Sequence, residues 1–147
     1  MIILRRATQG DATAIADIYL AARAAASPDV AWAHSDADVR NWIAHVLMVK
    51  DEVTVAAGDG LTVHGYLARN GEWVDHLFVH PLSFRQGIGT RLLARAKSAH
   101  PEGLRLWTFQ SNTRARAFYE RQGFTIEQLT DGADNEEQEP DVLYVWR

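Results

Sequence analysis

Two strand-like runs, Trp73–Val79 and Leu104–Phe109, stand on either side of a helical stretch, Ile88–Ala99, whose Ile88, Leu92, Leu93 and Ala96 share one side. Strand, crossover helix and strand within one sheet give a parallel pair joined by a right-handed connection. The residues just upstream demand the opposite pairing. Val53, Val55 and Ala57 alternate with small or polar neighbours, and Gly58-Asp59-Gly60 turns the chain. Residues 61–69 run back, and Asn70-Gly71 is a two-residue hairpin signal before Trp73. Three such strands form an antiparallel meander. A meander set beside a parallel crossover requires a mixed sheet, so the expected class is a mixed α/β fold with one central sheet.

The remaining segments complete that plan. Residues 2–6 read as a first strand. Asp11 can cap a helix with Ala14, Ile15, Ile18, Tyr19 and Ala22 at helical spacing. After Asp36, a second helix carries Val39, Trp42, Ile43, Val46 and Leu47 as one apolar stripe, which predicts Trp42 in the core. The loop between them holds Trp32 and His34. Downstream come a helix over residues 113–122 with Gly123 at its C′ position, a strand over 124–129, an acidic loop over 131–141 and a last strand over 142–146. A length of 147 residues suits one domain, residues 1–147, around one core.

Composition removes several classes. The chain has no Cys, which excludes disulfides, thiolate metal sites and a cysteine nucleophile. A net charge of −4 argues against a nucleic-acid partner. No apolar run approaches the ~20 residues of a membrane span, so no membrane partner is expected. The N-terminus lacks the layout of a signal peptide, and a cytoplasmic location is expected. His45, His64 and His80 are not arranged as a metal site, and no metal is expected.

The chemistry-bearing segment is Phe84-Arg85-Gln86-Gly87-Ile88-Gly89-Thr90, where a strand hands over to a helix. Glycine lets a ligand approach the main chain, and the first helical turn offers unpaired N–H groups at the positive end of the helix dipole. The segment is suited to phosphate or pyrophosphate. Gly89-Thr90-Arg91 is not the Gly-Lys-Ser/Thr of a P-loop, and Leu92 stands where a dinucleotide fingerprint has a third Gly.

The second segment runs from Asn112 through Ala115, Ala117, Phe118, Tyr119 and Glu120 to Gly123 and Phe124. The two segments together resemble the GNAT N-acetyltransferase superfamily. The glycine turn looks like its pyrophosphate loop, and the later stretch looks like its Asn…Ala…Tyr-Glu-x-x-Gly-Phe helix. The resemblance implies a mostly antiparallel central sheet with a splayed parallel strand pair, flanked by helices on both faces. It also implies acetyl-CoA as co-substrate. The backbone of Phe78 and Val79 would pair with the pantetheine arm in the splay. The N–H groups of Arg85, Gln86, Gly87, Ile88, Gly89 and Thr90 would hold the pyrophosphate. Asn112 would hydrogen-bond the arm, Phe118 would pack beside it, and Tyr119 would lie near the thioester sulfur. The family usually has Gln or Arg where this chain has Phe84, so backbone amides should do the holding.

A phenol near sulfur can protonate a departing thiolate, which gives Tyr119 a general-acid role. The attacking amine must lose a proton, and Asp75 and His76 are ionisable residues in an otherwise apolar strand. Alternation sends them to opposite faces. Asp75 is favoured as base, with His76 or a water as the other choices. The run Asp131, Asp134, Glu136, Glu137, Glu139 and Asp141 is either a solvated loop or an attraction for a cationic acceptor. Trp32 is free to line a pocket.

The expected activity is acetyl transfer from acetyl-CoA to a primary amine, with a small-molecule acceptor preferred to a protein N-terminus. A GNAT-fold acyl-CoA sensor without turnover is the rival. A homodimer paired through the late strands is also open.

Overall fold

The computed structural model describes residues 1–60 and 62–147, so Leu61, where the third strand was expected to begin, lies outside them. The strands are β1 (Ile3–Arg6), β2 (Glu52–Ala57), β3 (Val63–Asn70), β4 (Trp73–Val79), β5 (Leu104–Phe109), β6 (Thr125–Leu129) and β7 (Asp141–Trp146). The helices are α1 (Ala12–Ala26), α2 (Asp36–Trp42), a single turn α3 (Met48–Lys50), α4 (Ile88–Ala99) and α5 (Thr113–Arg121). A π-helical turn, Ile43–Leu47, joins α2 to α3.

The strands form one seven-stranded sheet in the order β1-β2-β3-β4-β5-β7-β6. Neighbours pair antiparallel except β4 and β5, which are parallel. Helices cover both faces. On one, Leu92, Leu93 and Ala96 of α4 and Tyr119 of α5 pack on Leu67, Val74, Leu104, Leu106 and Tyr144. On the other, Ile15 and Ile18 of α1, Val39 of α2 and Ile43 and Leu47 of the π turn pack on Val53, Val55, Tyr66 and Ala68. The sheet thus carries a core on each side, as the mixed-sheet reading requires.

The parallel pair barely touches. Trp73 opposite Arg105 is its one register pair, reinforced by Arg105 N–H donating to Glu72 O at 2.8 Å. Beyond that point β4 and β5 part, and a cleft opens through the middle of the sheet.

Three local expectations change. Asp11 sits before α1, but its carboxylate does not cap that helix. It accepts instead from both Arg5 Nη atoms, at 2.8 and 2.9 Å, and from Thr8 N–H at 2.8 Å. Trp42 is not core; it is 40% exposed. Val39, Ile43 and Leu47 are the buried positions, four apart, and the wider π turn keeps that spacing in line while turning Trp42 and Val46 to the flank. Finally, Ala68 faces His76 while Arg69 faces Val74, so Asp75 is the extra residue of a β-bulge. Strict alternation therefore fails at Asp75, and both Asp75 and His76 meet the α1–α3 layer: Asp75 through Lys50, His76 through Tyr19 and Trp42.

Candidate active site

The cleft between β4 and β5 has a volume of about 380 Å³ and continues over the start of α4. Most of the residues singled out in the sequence line it; Gln86 does not, and His76, Trp32 and His34 line a different cavity. Asp75, Phe78 and Val79 come from β4, Arg85 to Thr90 from the turn, and Asn112, Phe118 and Tyr119 from α5 and its cap.

The turn is wound by two left-handed residues. Arg85 has φ +68° and Gly87 has φ +72°, a conformation that glycine tolerates and arginine resists. Arg91 N–H makes the first helical bond, to Gly87 O at 3.1 Å, so the amides of Ile88, Gly89 and Thr90 precede the ladder and face outward. A Cβ on Gly89 would lie 3.3 Å from Phe118 Cζ, so glycine lets Phe118 close on the helix start. Arg85, Arg114 and Arg121 line the same cleft. A cradle of backbone donors ringed by guanidinium groups fits a pyrophosphate-bearing ligand.

Backbone direction narrows one expectation. His80 N–H donates to His64 O at 2.8 Å, across the β3 side of β4. Antiparallel ladders alternate, so Phe78 is also committed to β3, while Val79 and Leu77 point N–H and C=O into the cleft. Phe78 contributes its side chain instead, edge-on to Tyr19 with centroids 5.0 Å apart. Asn112 likewise has one half of its amide engaged: Oδ1 accepts from Ala115 N–H at 3.2 Å as the α5 cap, leaving Nδ2 for the cleft.

Tyr119 is buried, and among the described residues its hydroxyl has no hydrogen-bond partner. Burial pushes its pKa up, so the hydroxyl keeps its proton across the working range and can donate.

Asp75 lies 3.5 Å from Lys50 Nζ, and behind it stands Asp51, whose Oδ1 is 3.7 Å from the same ammonium. The Asp51 side chain is fully buried and neither oxygen has a hydrogen-bond partner among the described residues. Burial, then the neighbouring Asp75 carboxylate, push the Asp51 carboxyl up to about 7, with Lys50 acting the other way. Sequence reading missed Asp51, because only the pairing of β2, β3 and β4 brings it to Asp75. His76 is a poor proton acceptor by contrast. Burial depresses its pKa to about 4, and its Nδ1 shares a 2.8 Å hydrogen bond with the Tyr66 hydroxyl.

Ala26, Phe78, Trp107, Thr108 and Asn112 line both this cleft and a second cavity of about 600 Å³ on the α1 side. That cavity lies between α1, Trp32 and the acidic loop, and Asp134, Glu137 and Asp141 reach it. A third cavity of about 410 Å³ extends past Tyr19, Arg23 and Trp32 toward Trp42 and His76. His34 Nε2 and Glu136 Oε2, 2.6 Å apart, tie the loop after α1 to the acidic loop. No group of three or more His, Asp or Glu side chains suited to a metal occurs among the described residues.

Comparison with known proteins agrees with this geometry. Residues 42–126 match the family model "Acetyltransferase (GNAT) domain". The chain is 45% identical over 58 residues to Rv2775 of Mycobacterium tuberculosis, named as a probable N-acetyltransferase. That match spans 39% of this chain and only 33% of that protein's length. It is 27% identical over 130 residues to the peptidyl-lysine N-acetyltransferase YiaC of Escherichia coli, covering 84% of each. Among solved structures, apo YjaB of Escherichia coli shares the fold with a TM-score of 0.84 at 19% identity, over 99% of this chain and 97% of that one. The yncA protein of Salmonella typhimurium, solved with acetyl-CoA, does so with a TM-score of 0.71 at 18% identity, over 99% and 92%. With a family model covering more than half its length, this chain belongs to the GNAT family of acetyltransferases.

Proposed function

We propose that the chain, acting as one domain, transfers an acetyl group from acetyl-CoA directly to the primary amine of a small molecule. The observation that carries this is that the two spaces adjoin. A cleft with a pyrophosphate cradle at one end shares Phe78, Trp107 and Asn112 as a common wall with a second cavity on the α1 side. A thioester carried in the first can meet an amine arriving through the second, which is the arrangement direct transfer needs.

The residues then divide the work. The amides of Ile88, Gly89 and Thr90, with Arg85 and Arg114, would hold the phosphates of CoA, and the cleft-facing backbone of Leu77 and Val79 would hold its arm. Val79 N–H would donate to the carbonyl oxygen as charge develops there. Asp75, backed by Asp51, would take the proton from the attacking nitrogen. As the carbon–sulfur bond breaks, Tyr119 would give its proton to the sulfur.

A second reading is supported by the likeness to YiaC, a peptidyl-lysine acetyltransferase. The His34–Glu136 tie favours the small molecule, because it joins the two loops beside the cavity into a wall. The deciding experiment follows CoA thiol release with amine and peptide panels. Turnover of small amines supports the proposal, and turnover confined to lysine-bearing peptides overturns it.

A further inference from the structure

Arg23 of α1 stands between the second and third cavities and lines both. Its side chain is only 10% exposed. Two rings flank the guanidinium, with Cζ 4.6 Å from the Trp32 centroid and 5.5 Å from the Tyr19 centroid. Five N–H donors are therefore held in one plane away from bulk water. Nη2 donates to Asp36 Oδ1, long at 3.4 Å, the Asp36 side chain is 77% exposed, and the Tyr19 hydroxyl is the other acceptor within reach. A buried guanidinium with most of its donors unmet, facing an open cavity, is a preformed seat for a planar anion.

The charges around it define the rest of the ligand. Asp134, Glu137 and Asp141 face the larger cavity, and Asp38, Glu136 and Glu137 face the smaller. Asp141 already accepts from Thr130 and Asn135, and Glu136 is tied to His34. Among the described residues, Glu137 and Asp134 have no ion pair. One buried cation thus shares a cavity with uncommitted carboxylates. Trp32 and Phe109, with centroids 5.9 Å apart, supply an apolar wall.

We infer that the acetyl acceptor is an amine that also carries a carboxylate, a free amino acid being the simplest case, and that Arg23 anchors that carboxylate. The acidic side chains would draw the ammonium group, and the wall shared at Phe78 would set the amine beside the thioester. This rests on the acetyl-transfer reading above.

The test is a panel of matched pairs, each an amino acid and its decarboxylated amine: tryptophan and tryptamine, phenylalanine and phenethylamine, lysine and cadaverine. A lysine-bearing peptide with blocked termini completes the panel. Thiol release should favour the acid over its amine in kcat/KM by about 10- to 100-fold, the range of a charge-assisted hydrogen-bond pair. Arg23→Gln should bring that preference close to unity, with the loss falling on the KM of the acid rather than on kcat. Arg23→Lys, which keeps the buried charge should the Gln variant fold poorly, should recover part of the preference. Equal or better use of the decarboxylated amines or the peptide would overturn the proposal, as would an Arg23→Gln loss equal for both members of each pair. Calorimetric binding of the same pairs in the presence of CoA separates the two readings. Acids bound preferentially without turnover would leave the anchor standing and sink acetyl transfer; pairs bound alike would sink the anchor.

Discussion

The Arg114 guanidinium lies over the Phe84 ring, its Cζ 3.7 Å from the centroid. Position 84 is where the sequence departs from the family's usual polar or basic residue. The structure brings a cation to that corner from α5 and uses the aromatic ring as its platform. Arg114→Ala should therefore weaken acetyl-CoA binding by about tenfold, more at low ionic strength than at high. Phe84→Ala should weaken it less, and the double variant should be no worse than Arg114→Ala alone. Calorimetric titration with acetyl-CoA at two salt concentrations checks this.

The two glycines of the turn should fail in different ways. Gly87 needs its φ of +72°, so Gly87→Ala should cost about 1 kcal/mol of stability, read from denaturant unfolding. Gly89 is helical, and alanine suits its backbone. Its added methyl would meet Phe118 Cζ at 3.3 Å, at the edge of the cleft. Gly89→Ala should keep the wild-type unfolding midpoint while raising the Kd for acetyl-CoA.

What could be read from the chain followed from local pattern. The β4–α4–β5 crossover, the meander and the glycine turn announce themselves over a few residues, whereas the splay that opens the cleft was implied only by the family resemblance. Trp42 was misplaced because a 3.6-residue repeat cannot anticipate a π turn. The face of Asp75 was misjudged because a bulge is a property of two strands. Asp51 and Arg23 carried no local signal at all. Asp51 becomes a partner of Asp75 only when β2, β3 and β4 align, and Arg23 becomes a cavity wall only when Trp32 folds over α1.

The Asp51–Asp75 pair makes stability depend on pH with a defined sign. A carboxyl pushed up to about 7 in the folded chain, from about 3.8 when unfolded, favours folding below the lower value. That contribution is lost as pH rises through the interval, with a limiting slope of about 1.4 kcal/mol per pH unit. Asp51→Asn should flatten the profile between those values, followed by thermal unfolding across pH. In activity, Asp75→Asn should lower kcat.

Tyr119 offers a cleaner separation of roles. Its hydroxyl has no hydrogen-bond partner among the described residues, so Tyr119→Phe should change the unfolding midpoint very little. The same change should cut kcat by about 100-fold, within the usual range for a general acid. Turnover at the wild-type rate over the whole pH range would remove the assignment.

Initial-rate kinetics with acetyl-CoA and an accepted amine varied together test the central claim most directly. Direct transfer, with the thioester in the β4–β5 cleft and the amine in the adjoining cavity, predicts thiol release only when both are present and double-reciprocal lines that intersect. Parallel lines, or failure to bind acetyl-CoA at all, would contradict it.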